Sequence, residues 1–124
     1  MRLLLDTNAF LWWRDESPRL TKRARNEISN PNNDIVVSIV SLWEISIKRG
    51  LGKLRFPEDF EEVMVEEQFA LLALNYAHLR TLETLPRHHG DPFDRLLIAQ
   101  SMTESLPVAT NDRVFSHYPV EVLW

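Results

Sequence analysis

The sequence contains no cysteine. Disulfides and thiolate metal sites are therefore excluded, and the composition fits the cytoplasm. No apolar run approaches the length of a bilayer span, so no membrane association is expected. Leu3 to Leu5 is too short for the core of a signal peptide, and Asp6 ends it. There is no P-loop, so phosphate is not held as in a nucleotide triphosphatase. No linker or low-complexity tract divides the chain. An excess of positive charge is also missing: the net charge is −4, which on its own argues against a nucleic-acid partner. What is present is ordinary. The 124 residues, 44% hydrophobic and 26% charged, suit one globular domain spanning 1–124.

The chain is organised around Arg2-Leu3-Leu4-Leu5-Asp6-Thr7-Asn8. A short apolar run that stops at polar residues suits a buried strand. Asp6 then lies at the strand's C-terminal end, where open α/β sheets bind ligands. The pattern recurs at Leu106-Pro107-Val108-Ala109-Thr110-Asn111-Asp112. Between them, Asp34 to Ser38 and Phe69 to Leu74 read as further strands, and Val120 to Leu123 as an edge strand. Helices are expected over Ala9 to Arg14, from Ser17-Pro18 through Ile28, over Val40 to Arg49, from Pro57 along an acidic stretch, over Asn75 to Leu85, and from Asp91-Pro92 to Ser105. The last is apolar nearly all round and is expected to be buried. Strands alternating with helices predict an α/β fold: a three-layer α/β/α sandwich with a central parallel sheet of four to five strands.

Asp6, Glu44, Asp94 and Asp112 fall where these elements aim them at one sheet edge. Each also has a purely local reading. Asp6 and Asp112 could cap helical turns, Ser41 and Glu44 have capping-box spacing, and Asp91 with Asp94 suits a helix N-terminus. Converging carboxylates resist joint ionisation; a hard cation, Mg²⁺ or Mn²⁺, relieves this and suits oxygen ligands. Such a metal activates water and neutralises charge on phosphate oxygens. His88-His89 reads as a solvated loop pair. Setting the four acids aside leaves a charge balance near zero, and Lys48, Arg49, Lys53, Arg55, Arg95 and Arg113 lie close enough in sequence to hold a phosphate backbone.

These residues resemble the PIN-domain family, and within it the VapC-type toxins of toxin–antitoxin pairs. The resemblance rests on Leu4-Leu5-Asp6-Thr7-Asn8, on Ser41-Leu42-Trp43-Glu44-Ile45-Ser46-Ile47-Lys48, on Asp91-Pro92-Phe93-Asp94-Arg95-Leu96-Leu97-Ile98-Ala99-Gln100 and on Ala109-Thr110-Asn111-Asp112-Arg113. It implies a metal-dependent endoribonuclease with one or two Mg²⁺ or Mn²⁺ ions on Asp6, Glu44, Asp94 and Asp112, supported by Asn8, Thr110 and Asp91. It further implies an RNA substrate cut to 5′-phosphate and 3′-hydroxyl ends. A homodimer, a VapB-type antitoxin partner and a heterotetramer or larger complex with it are also implied. Trp12, Trp13, Trp43 and Trp124 are numerous enough to line a groove for a partner helix. Two other readings compete. A haloacid-dehalogenase-like phosphatase needs an aspartate where Asn8 stands. A receiver-like or purely antitoxin-binding module would leave the acids structural; a receiver needs a lysine after the late strand, where Asn111 and Asp112 stand.

Overall fold

The apolar runs become strands because both of their faces find cover. In β1 (Arg2–Leu5) every leucine is fully buried. Leu3 and Leu5 join one hydrophobic cluster, while Leu4 joins another on the opposite face, as strand alternation requires. In β2 (Asp34–Ser38), Ile35 and Val37 share the first face and Val36 the second. The computed structural model describes all residues, Met1–Trp124.

The remaining elements follow in order. They are α1 (Thr7–Arg14), α2 (Lys22–Ser29), α3 (Ile39–Gly50), α4 (Phe60–Glu67), β3 (Ala70–Leu72), α5 (Tyr76–Thr84), α6 (Pro92–Glu104), β4 (Val108–Ala109), a 3-10 turn (Arg113–His117) and β5 (Val122–Leu123). All strand pairs are parallel, in the order β3-β2-β1-β4-β5. Residues of α1, α2 and α4, with Leu42 and Ile45 of α3, cover one face; α6, with α5 packed on it, covers the other. This is the expected three-layer sandwich. The chain winds from β1 outward to β3, then returns to place β4 on the other side of β1. The gap between β1 and β4 is therefore the switch point of the sheet, where such folds open a crevice at the C-terminal strand ends.

Three helix starts differ from the sequence reading. Ser17-Pro18 does not begin α2: the Ser17 hydroxyl accepts from the Arg19 amide at 3.2 Å and closes a turn. Thr21 caps α2 instead, accepting from Ala24 at 3.1 Å. Pro57 does not open α4; Asp59 does, its carboxylate accepting from the Glu61 amide at 2.9 Å. In both cases a side-chain acceptor two or three residues after the proline outcompetes the proline signal. The first helix begins at Thr7 because Asp6 is its cap.

Phe10 anchors the first layer. It is fully buried, with ring centroids 5.9 Å from Phe56 and 6.4 Å from Phe69. Phe10→Ala should cost roughly 3–5 kcal/mol of unfolding free energy by urea denaturation. A loss below about 1 kcal/mol would show that this face is not the packed core described.

Candidate metal centre

The register of the sheet delivers the first two acids. Leu5 pairs with Ala109, and the Asp6 amide donates to the Ala109 carbonyl at 3.1 Å. Asp6 thus stands beside Thr110, whose hydroxyl donates to its carboxylate. The same carboxylate accepts from the Ala9 amide at 2.7 Å and caps α1. Two residues beyond Thr110, Asp112 caps the 3-10 turn, its Oδ1 accepting from the Val114 amide at 3.0 Å.

Helices bring the other two. Ser38 at the end of β2 caps α3, accepting from Val40 at 3.0 Å. Glu44 is therefore not the partner of a Ser41 capping box: it projects from the second turn and is buried, 7% exposed. Ser41 is buried too and accepts from the Thr7 hydroxyl at 3.0 Å, tying α3 to α1. Asp91 caps α6, accepting from the Asp94 amide at 2.9 Å, so the local reading holds for Asp91. Next to the two helical acids, Trp43 and Phe93 pack edge to face at 4.9 Å and hold α6 against α3.

The charges show how close these groups are. Asp6 is only 5% exposed and has no cationic side chain against it. Burial, aided by the negative charges of Asp112 and Glu44, lifts its pKa from 3.8 to about 6 against the pull of its two hydrogen bonds. Burial lifts Asp94 to about 7, with Asp91, Asp6 and Glu44 adding to it and His89 opposing. A buried carboxylate among like charges, without a positive partner, is what a hard divalent cation corrects. The donors are carboxylate oxygens, which suit Mg²⁺ or Mn²⁺. The residues therefore fit the metal that the sequence suggested.

One residue of the site escaped the sequence. His89 is not a solvated loop side chain. Its Nε2 is 2.7 Å from Asp112 Oδ2 and 3.1 Å from Asp94 Oδ2, and the side chain is 13% exposed. With those two acids it forms a group whose ligand atoms all lie within 4.8 Å of one another. The neighbouring His88 is exposed and stacks on Tyr118 at 5.1 Å. The only hint in the sequence was proximity: His89 precedes the Asp91 cap by two residues.

The basic residues divide. Lys48 is half exposed; its ammonium donates to Glu44 at 2.8 Å and lies in the field of Asp91 and Asp94. Arg113 is exposed beside Asp112, and Lys53 and Arg55 are exposed beyond α3. Arg49 is engaged elsewhere, donating to the Phe56 carbonyl at 3.1 Å and stacking 4.6 Å from the Phe60 ring. Arg95 is also occupied, donating to the Pro86 carbonyl at 3.1 Å and bracing the loop before α6. Asn8 is exposed in the first turn of α1.

The architecture is a doubly wound parallel sheet with an acid-lined crevice at its switch point. The particular family follows from the sequence: the PIN domain model matches residues 3–121, and the chain belongs to the PIN domain family. No curated protein matches it in sequence. Solved structures share the fold. A chain of VapBC2 from Rickettsia felis, bound to a DNA fragment from their promoter, is 17% identical with a TM-score of 0.69, covering 99% of this chain and 98% of that one. A chain of DNA-bound VapBC from Salmonella typhimurium is 17% identical with a TM-score of 0.66, covering 99% and 97%. A toxin–antitoxin complex from Klebsiella pneumoniae gives 17% and 0.65, covering 98% and 96%.

The raised values of Asp6 and Asp94 predict a pH signature. Both exceed the ordinary 3.8, so the folded, metal-free protein holds these protons more tightly than the unfolded chain. The stability they lend is full below about pH 4 and is lost as pH rises to about 6 and 7; for Asp6 the loss is on the order of 3 kcal/mol. In EDTA, the melting temperature of Asp6→Asn should therefore exceed that of the parent at pH 8 and approach it at pH 4. Excess Mg²⁺ should stabilise the parent at pH 8 far more than at pH 4. Parallel melting curves for the two proteins at every pH would refute this account of the site.

Proposed function

We propose that this chain is a Mg²⁺- or Mn²⁺-dependent endoribonuclease, the VapC-type toxin of a toxin–antitoxin pair. The observation that carries the reading is the convergence of Asp6, Glu44, Asp94 and Asp112 at the switch point, with Asp6 buried and lacking a cationic partner. Membership of the PIN domain family supports it, and so does the shared fold with chains of VapBC structures.

In this reading the four carboxylates would hold one or two ions, whose chemistry would be to activate water and to offset charge on the phosphodiester. The Ala9 amide holds Asp6 Oδ1, and Thr110 lies beside the same carboxylate. Arg113 is exposed and free to meet a flanking RNA phosphate, and Lys48, half exposed and paired with Glu44, borders the same crevice, while Arg49 and Arg95 serve the scaffold. Asn8, exposed in the first turn of α1, would support the site from its rim. The work would be done in the cytoplasm, where RNA is at hand. No helix is long and apolar enough to cross a membrane.

The antitoxin partner also has structural support. A groove of about 550 Å³ runs between α3, α4 and β3, lined by Ile39, Trp43, Met64, Val65 and Leu71. Trp43 is 52% and Val65 77% exposed, which is apolar surface that a VapB-type segment would cover. A homodimer, and a heterotetramer or larger complex with antitoxin, belong to the same proposal.

The test is cleavage of total cellular RNA by purified protein in Mg²⁺, in Mn²⁺ and in EDTA, beside Asp94→Asn prepared identically. Discrete fragments with 5′-phosphate ends should form with either metal, and should fall to the EDTA background in the variant. Equal cleavage by parent and variant would remove Asp94 from the mechanism.

A further inference from the structure

His89 reaches two of the four acids, and its second ring nitrogen decides what it can do there. The Asp91 amide donates to His89 Nδ1 at 3.1 Å. An acceptor nitrogen carries no proton, so the neutral ring carries its proton on Nε2. Nε2 therefore donates to Asp112 Oδ2 at 2.7 Å, with Asp94 Oδ2 3.1 Å away in ion-pair range, and has no lone pair to offer a metal. Ligation through Nε2 would need the proton moved to Nδ1, against the Asp91 N–H.

The loop is built to keep this orientation. The Tyr118 hydroxyl accepts from the His88 amide at 3.1 Å and the His89 amide at 2.9 Å, and donates to the Pro86 carbonyl at 2.8 Å. Phe115 lies edge-on to the imidazole at 6.0 Å. Ring, tautomer and backbone are thus all fixed before any ligand arrives.

We propose that His89 is a positioning residue for the metal centre: its Nε2–H holds Asp112 Oδ2, and with Asp94 Oδ2 against the same nitrogen the ring sets the spacing of the two carboxylates. The inference rests on the reading that these acids hold metal. It assigns the histidine to the carboxylates rather than to the metal itself. Asp94 comes from a helix and Asp112 from the loop after β4, so no shared backbone element sets their separation. The imidazole nitrogen lodged against both Oδ2 atoms does. Partners that orient metal ligands typically contribute 10–100-fold to affinity.

The experiment compares His89→Gln with His89→Met. The two side chains have similar length and volume, but only glutamine keeps an N–H donor at the end. Mn²⁺ affinity is measured by calorimetry and by electron paramagnetic resonance, with metal-free melting of each variant. His89→Met should bind Mn²⁺ about 10–100-fold more weakly, while His89→Gln stays close to the parent. Equal affinity in both variants, whether retained or lost, would overturn the positioning role; a shared loss would assign the ring to packing against Phe115. A parent that binds no Mn²⁺ would overturn the nuclease reading itself, and this inference with it. An independent check needs no variant: the ¹⁵N spectrum of the parent at pH 8 should show a protonated Nε2 and a bare Nδ1 for His89. The reverse tautomer would overturn the proposal even if neither variant folds.

Discussion

Burying the carboxylate of Asp6 at the end of β1 is the constraint on which the site depends. It starts α1, through the Ala9 amide, and it fixes Thr110 across the switch point. The same burial makes its negative charge expensive, because three other acids share the crevice. A fold that wanted only a helix cap would use serine or threonine there, as α2 does with Thr21 and α3 with Ser38. An aspartate in that place, dry and unpaired, carries a cost when ionised that a proton or an added cation removes. Stability is thereby held in reserve for ligand binding.

The framework was readable because each long signal had one outcome. The leucines of β1 stop at Asp6, and the Asp91-Pro92 start leads into a helix buried from Leu96 to Ser101. Parallel pairing then follows from the alternation of strand and helix. The four acids were legible for the same reason: each ends a strand or lies in the first turns of a helix leaving the ligand-binding edge. Where two start signals competed, as at Ser17-Pro18 against Thr21, the sequence offered no ranking. The difference lies in which hydroxyl can reach a free amide once α2 packs Ala24 and Ile28 against the sheet.

His89 was illegible for a different reason. A histidine pair in a loop is usually solvated, and nothing local separates His88 from His89. The separation is made by Tyr118, which lies 29 residues from His89 and grips both amides, turning one ring outward and the other onto the acids. Arg95 shows the same effect with opposite sign. Beside Asp94 in sequence it looked like a phosphate ligand, yet its guanidinium is drawn to the carbonyls of the loop that Tyr118 closes. Contacts of long range decide which polar neighbours of a site serve the scaffold.

The acidic net charge, which first argued against a nucleic-acid partner, is resolved by location. Two clusters of carboxylates stand out, one in the crevice and one on the outer face of α4, where Glu61, Glu62 and Glu66 are exposed. The two groups act differently on a polyanion. The crevice acids become attractive once divalent ions fill them, because the ion's charge is unscreened at the distance of a bound phosphate. The α4 acids keep their charge and repel at any metal concentration. Under the proposed nuclease function, approach of RNA is thereby confined to the crevice side, where Lys48 and Arg113 are exposed. The acidic helix and its apolar groove remain clear for a different partner. Charge placement, more than its sum, sets which molecule meets which face.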